Sequence, residues 1–210
     1  MDERRVRVGD LEVAFEEAGA GGRALVLVHG FTGDRSDWDE VRGPLAEQVR
    51  VLTPDQRGHG ATADPGRGEG YTLEGLAEDL AGFLDATDVA RCDLLGHSMG
   101  GMVALRLALA APSRVASLVL MDTASAPVPV LPRELLDAAC RTAREQGMEA
   151  IYRVMHAGRD AGARAPASRV VEARMGETPG GHPLELRRCL CRTGGTSRCT
   201  NGLRLSPEVE

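Results

Sequence analysis

Ser98 stands in the stretch LLGHSMGGM (residues 94–102), with Gly96 before it and Gly100 and Gly101 after it. A serine hydroxyl attacks a carbonyl carbon only when a base takes its proton, and that base needs a carboxylate to orient it. The placement of Ser98 suits the first of these roles. An aliphatic run precedes it and a helix-forming run follows, so it falls where a strand turns sharply into a helix. The spacing matches G-x-S-x-G, in which small neighbours let the chain turn tightly and present the hydroxyl at the carboxyl end of a sheet.

The same turn predicts where negative charge would be stabilised. The first amides of a helix have no intrahelical partner, and its dipole favours an anion, so the Met99 amide is a candidate oxyanion donor. A second donor is expected from the loop after ALVLVHG (24–30), where Gly30 permits close approach and Phe31 offers its amide.

These residues need a scaffold, and the pattern of apolar residues predicts one. RVRVG (5–9) and LEVAFEEAG (11–19) alternate around Gly9-Asp10 as a hairpin. ALVLVHG (24–30), VRVLTPD (49–55), RCDLLG (91–96) and VASLVLMD (115–122) read as strands, the first of them buried on both faces. Between them lie helices at 37–48, with Ser36 as N-cap and Gly43-Pro44 as a weak point, at 72–88, with Thr72 as N-cap, and at 99–112. This alternation implies an α/β fold, a mostly parallel sheet with flanking helices. Beyond Asp122 the spacing predicts helices over 131–147, 148–160 and 167–176, and only a short helical segment over 183–190. The expected organisation is a core over 1–126, a helical segment over 127–176 and an irregular tail over 177–210.

Three motifs in order, VHGFTG (28–33), PDQRGHGAT (54–62) and GHSMGG (96–101), give the chain its family likeness. It resembles the α/β-hydrolase superfamily over about residues 5–126. The resemblance implies Ser98 as nucleophile, the Phe31 and Met99 amides as oxyanion hole, and residues 127–176 as a helical cap. It also implies an acid and then a histidine on loops after two further strands. No stretch after Glu177 reads as such a strand, so the chain resembles a shortened member whose sheet is left with an open edge beside VASLVLMD. Some relatives place the acid at the end of that strand, which makes Asp122 a candidate, and His156 and His182 are the candidate bases. His97, Arg57, His59 and Trp38 are expected to serve packing or loop organisation, with His97 directed behind the serine turn.

Composition narrows the partners. The chain has 210 residues and a net charge of -6, which disfavours nucleic acid and anionic membrane as partners. Its 25 basic residues are all arginine. MDERRVRVGD has no apolar segment and no run is long enough to span a bilayer, so a cytoplasmic protein is expected. Cys189, Cys191 and Cys199 with His182 lack the usual zinc spacing, so no metal and no cofactor is expected. The expected partner is a small-molecule substrate, with self-association along the open sheet edge. Two functions follow: cleavage of a small carboxylic ester or lactone through a Ser98 acyl-enzyme, or, alternatively, a non-catalytic remnant that binds a ligand or partner.

Overall fold

The computed structural model describes residues 3–62, 70–125, 132–147, 149–151 and 153, and the backbone of 169–174, 185–190 and 202–204. By internal contacts the chain forms two compact units, Met1–Ser125 with Ser168–Glu210, and Ala126–Ala167.

The first unit opens with the expected hairpin, β1 (Arg4–Val8) and β2 (Leu11–Ala18), paired antiparallel with Val8 opposite Leu11. Then follow β3 (Ala24–Val28), a 3₁₀ turn (Arg35–Trp38), α1 (Asp39–Ala46), β4 (Arg50–Pro54), α2 (Leu73–Ala86), β5 (Cys92–His97), α3 (Met99–Ala110) and β6 (Val115–Met121). The strands lie in the order β1-β2-β4-β3-β5-β6. The pairings β3–β4, β3–β5 and β5–β6 are parallel, so the centre of the sheet is parallel and the hairpin forms its antiparallel margin.

Alternate residues of a strand face opposite sides of a sheet, and here the two sides differ. Val26, Val28, Leu94, Leu118 and Leu120 pack against Leu76, Leu80, Phe83, Leu84, Val103 and Leu107 of α2 and α3 in the main core. On the opposite side Leu27, Val51 and Trp38 make a small cluster that Leu25, Leu95 and Met121 only partly join. Trp38 is therefore a packing anchor.

Helix ends follow local chemistry, with one change from the sequence reading. The Thr72 hydroxyl accepts from the Gly75 amide at 3.0 Å, as expected of an N-cap. At the other helix Asp34, not Ser36, is the cap: its side chain accepts from the Ser36 amide at 2.7 Å and starts the 3₁₀ turn, so α1 begins only at Asp39. Pro44 sits inside α1 without ending it.

The larger departure comes after β6. Residues 167–176 and 183–190, read as helical, instead contain β7 (Arg169–Arg174) and β8 (Glu185–Leu190), and β9 (Gly202–Arg204) lies in the stretch read as irregular. The strands add antiparallel to the sheet in the order β6-β7-β8-β9, with Val119 opposite Glu172. The edge of β6 that the sequence left open is thus occupied, and self-association through that edge loses its basis. The physical reason is that an edge strand offers a ladder of unpaired amides and carbonyls, which overrides the weak local preference of a short segment.

In the second unit, α4 (Arg133–Gln146) is the expected helix over 131–147, and Leu135 and Leu136 on it are exposed. No described helix is long and apolar enough to cross a membrane.

Candidate active site

The serine turn is built by three elements at the carboxyl ends of the parallel strands. Ser98 follows β5 directly and is the N-cap of α3, with φ 52° and ψ -118°. A side chain in that region of backbone space is strained by about 1–3 kcal/mol, so neighbours must hold it there. They do so on both sides of the residue. The Ser98 amide donates to the Met121 carbonyl at 2.9 Å, and the Ser98 carbonyl accepts from the Gly101 amide at 3.0 Å and the Thr123 hydroxyl at 2.5 Å. The end of β6 therefore brackets the serine, one residue past the His97–Met121 pair of the β5–β6 register.

Glycine is needed here for space. A Cβ on Gly96 would lie 2.4 Å from the Gly100 carbonyl oxygen, and one on Gly100 would lie 2.3 Å from the His29 carbonyl oxygen. The start of α3 therefore packs directly on the backbone at the end of β3. That close approach is what the G-x-S-x-G spacing secures.

The loop after β3 reaches the same place. A Cβ on Gly30 would be 3.3 Å from Ser98 Cβ, so Gly30 carries the loop past the serine at van der Waals range. Two histidines hold this loop. His29 is fully buried, and its Nδ1 lies 2.8 Å from the Gly30 carbonyl while its Nε2 accepts from the Gln56 amide at 3.0 Å. A carbonyl only accepts and an amide only donates, so these partners assign the proton to Nδ1 and leave the ring neutral. Burial pushes the His29 pKa down to about 4, against a smaller opposing effect of the Gly30 carbonyl. Because a trans peptide is planar, tying the Gly30 oxygen to His29 turns the Phe31 amide to the opposite side. His59 Nε2 lies 2.5 Å from the next carbonyl, that of Phe31.

The PDQRGHG turn is anchored from beneath. Asp55, fully buried, accepts from the amides of Arg35 at 2.7 Å and Ala61 at 2.8 Å and pairs with the Arg35 guanidinium. Arg57 forms a two-pronged bond to Asp79 of α2, at 2.7 and 2.8 Å. Arg57 and His59 thus organise loops, as expected. The His97 ring lies against Gly30, within 3.2 Å of a Cβ placed there, so it packs on the loop after β3. Burial and the Asp34 carboxylate push the nearby Asp37 carboxyl up, and His97 opposes them.

Among the remaining site residues, Phe31 is exposed and Met99 half-buried at the head of α3. Asp122 follows β6 with φ 46°, exposed, between the two residues that bracket Ser98. His156 and His182 lie outside the described residues, as do the side chains of Cys189, Cys191 and Cys199. The buried Cys92 thiol is pushed up to about 12 by burial, which favours its protonated form. Among the described residues no cluster of His, Cys, Asp and Glu could hold a metal ion. Thr123 and Gln56 were not singled out in the sequence, because their roles are hydrogen bonds to residues 25 and 27 positions away that no local spacing encodes.

A family model described as the alpha/beta hydrolase fold matches residues 23–149. The chain belongs to the α/β-hydrolase fold family. Among curated relatives, this α/β hydrolase is 47% identical over 111 residues to the dihydrolipoyllysine-residue acetyltransferase component of the acetoin cleaving system of Pseudomonas putida, covering 52% of this chain and 29% of that protein. Among solved structures it overlaps the enol-lactonase of Burkholderia xenovorans LB400 at 29% identity and TM-score 0.65, covering 72% of this chain and 58% of the other. It overlaps a thermophilic esterase of Thermogutta terrifontis at 32% identity and TM-score 0.65, covering 74% and 58%. The chain spans less than half the length of the curated relatives it matches.

Proposed function

We propose that this α/β hydrolase cleaves a small carboxylic ester or lactone through an acyl-enzyme on Ser98. The observation that carries the reading is the strained backbone of Ser98, held from both sides by Met121 and Thr123 at the head of α3. Strain of this kind persists where the surroundings over-determine it, and a serine so placed has its hydroxyl at the sheet's ligand-binding end. The likeness to an enol-lactonase and an esterase supports the substrate class.

Ser98 Oγ bonds to the carbonyl carbon as its proton passes to the base, and the Met99 and Phe31 amides stabilise the oxyanion. Collapse breaks the C–O bond, and the departing alkoxide takes the proton; in a lactone the alcohol stays tethered. Water then repeats the attack, releasing the acid and free Ser98. Asp122 is assigned as the carboxylate that orients the base, because it follows Met121 at the serine turn. His182 or His156 is the proposed base; His29 and His59 have both ring nitrogens directed at loop backbone, and the His97 ring lies against Gly30. The route needs no metal or organic cofactor.

The test is intact-mass spectrometry of the protein after treatment with a fluorophosphonate, with Ser98→Ala alongside. A single adduct that is absent from Ser98→Ala is the expected result. A folded protein that takes no adduct would refute the proposal and leave the non-catalytic binding reading.

A further inference from the structure

His59 presents an imbalance that its neighbour His29 does not. Both of its ring nitrogens face carbonyl oxygens: Nε2 lies 2.5 Å from the Phe31 oxygen and Nδ1 lies 2.9 Å from the Arg57 oxygen. A carbonyl oxygen offers only lone pairs, and a neutral imidazole carries one N–H and one lone pair. A neutral His59 therefore satisfies one carbonyl and sets a lone pair against the other. Only the doubly protonated ring donates to both.

The two carbonyls belong to different loops. Phe31 lies on the loop that passes Ser98, and Arg57 begins the turn anchored by Asp55 and Asp79. Gly58 and Gly60, both in the left-handed region at φ 72° and 52°, flank His59 and fold the turn back so that its ring faces the Phe31 loop. We infer that His59 is a positioning residue for the loop beside Ser98, and that its protonated form ties this loop to the PDQRGHG turn while the neutral form lets one of the two ties go.

The surroundings leave His59 as the ring whose two carbonyl contacts call for two protons. His29, whose ring centroid is 5.1 Å away, is held neutral by a donor on one nitrogen and an acceptor on the other, so both of its bonds persist without a second proton. Phe31 presents its ring edge-on to His59 at 6.1 Å and carries no charge. Arg57 turns its guanidinium to Asp79, Asp55 is engaged by Arg35, and Asp34 accepts from Ser36. Phe31 thus sits between two clamps. His29 fixes the peptide that contains its amide, and His59 fixes the peptide that contains its carbonyl.

The proposal bears on catalysis only through the Ser98 reading, so the experiment separates the two. The nitrogen of Thr32 shares a peptide with the Phe31 carbonyl, and that of Gly58 shares one with the Arg57 carbonyl, so their amide shifts report the two ties directly. In the full ¹⁵N-labelled chain, followed as pH is lowered across the range in which the fold persists, one or both amides are expected to move in step with the His59 ring nitrogens, and a ring that never takes a second proton in the folded chain would overturn the inference. In His59→Gln, which donates but does not titrate, that inflection is expected to vanish. Amides that stay still while the ring titrates, or that titrate unchanged in His59→Gln, would overturn the inference, and the wild-type titration decides it even should the variant not fold. Labelling by the fluorophosphonate is the second readout. His59→Phe, which has no donor, is expected to label at least about tenfold more slowly, since losing a whole oxyanion donor costs about 10²–10³. An unchanged rate would refute the link to the serine. Wild-type protein that takes no label would refute the Ser98 reading alone, with the amide titration still deciding the role of His59.

Discussion

Adding one methyl group at Gly100 tests how tightly the serine turn is built. The Cβ of Gly100→Ala would lie 2.3 Å from the His29 carbonyl oxygen and 2.4 Å from that of Val28, well inside contact distance. Both atoms are backbone at the end of β3, in the middle of a sheet paired with β4 and β5, so neither can swing aside like the tip of a side chain. Relief requires α3 to move off the strand, and overpacking of that kind costs about 1–3 kcal/mol. With a urea slope of about 2 kcal/mol/M, the midpoint falls by about 0.5–1.5 M. Trp38 is the only tryptophan and is buried on this sheet, so its emission during urea titration reads the unit that contains the turn. Gly22→Ala is the matched control: the same methyl group meets nothing within 4 Å there, and its stability should stay within about 0.5 kcal/mol of wild type, about 0.25 M in midpoint. Coincident midpoints for the two variants would refute the claim that the α3–β3 approach requires glycine.

Three further outcomes follow from the same geometry. Thr123→Val should cost about 1 kcal/mol in urea denaturation and slow the fluorophosphonate reaction, because the Ser98 carbonyl loses its 2.5 Å donor, while Thr123→Ser keeps the hydroxyl and should restore both. Arg57→Ala should cost about 3 kcal/mol in urea denaturation, since it leaves Asp79, with only 17% of its side chain exposed, without its paired cation; a loss below about 1 kcal/mol would mark the pair as solvent-screened. His29, with its pKa lowered to about 4 from 6.5, makes the unfolded chain bind the extra proton between those values, so its contribution is fully present above about pH 6.5 and is lost as pH falls through about 4. That shift corresponds to about 3 kcal/mol. Urea midpoints at pH 7 and pH 4.5 should differ more in wild type than in His29→Gln, and equal differences would exclude His29 as a source of the pH dependence.

Much of this architecture is written locally. The hairpin at Gly9-Asp10, the Thr72-capped helix with Leu76, Leu80, Phe83 and Leu84 on one face, and the strand–serine–helix junction at Ser98 each follow from periodicity, capping or turn chemistry within a few residues. Ser98, Gly30 and Gly100 were legible because the need for a tight turn and close backbone approach leaves its mark in residue size. The Asp34 cap replaced Ser36 because two residues with capping side chains stood close together, and only the path of the loop after β3 decides which one meets a free amide.

The residues after β6 could not be read this way. RVVEAR and ELRRCL are short, and their local preferences are weak; RVVEAR becomes a strand on the unpaired edge of β6, about 50 residues earlier in the chain, with Val119 opposite Glu172, and ELRRCL then pairs with RVVEAR, with Arg188 opposite Val171. The same holds for the details of the site. Sequence alone determined which serine is presented and that glycines must surround it, because those are properties of one turn. Tertiary structure alone decided that Met121 and Thr123 hold its backbone, that Gln56 sets the tautomer of His29, and that His59 faces two carbonyls at once. Apart from the short-range His59–Arg57 contact, those are hydrogen bonds between segments that meet only when the strands are laid side by side, and no spacing within either segment records them.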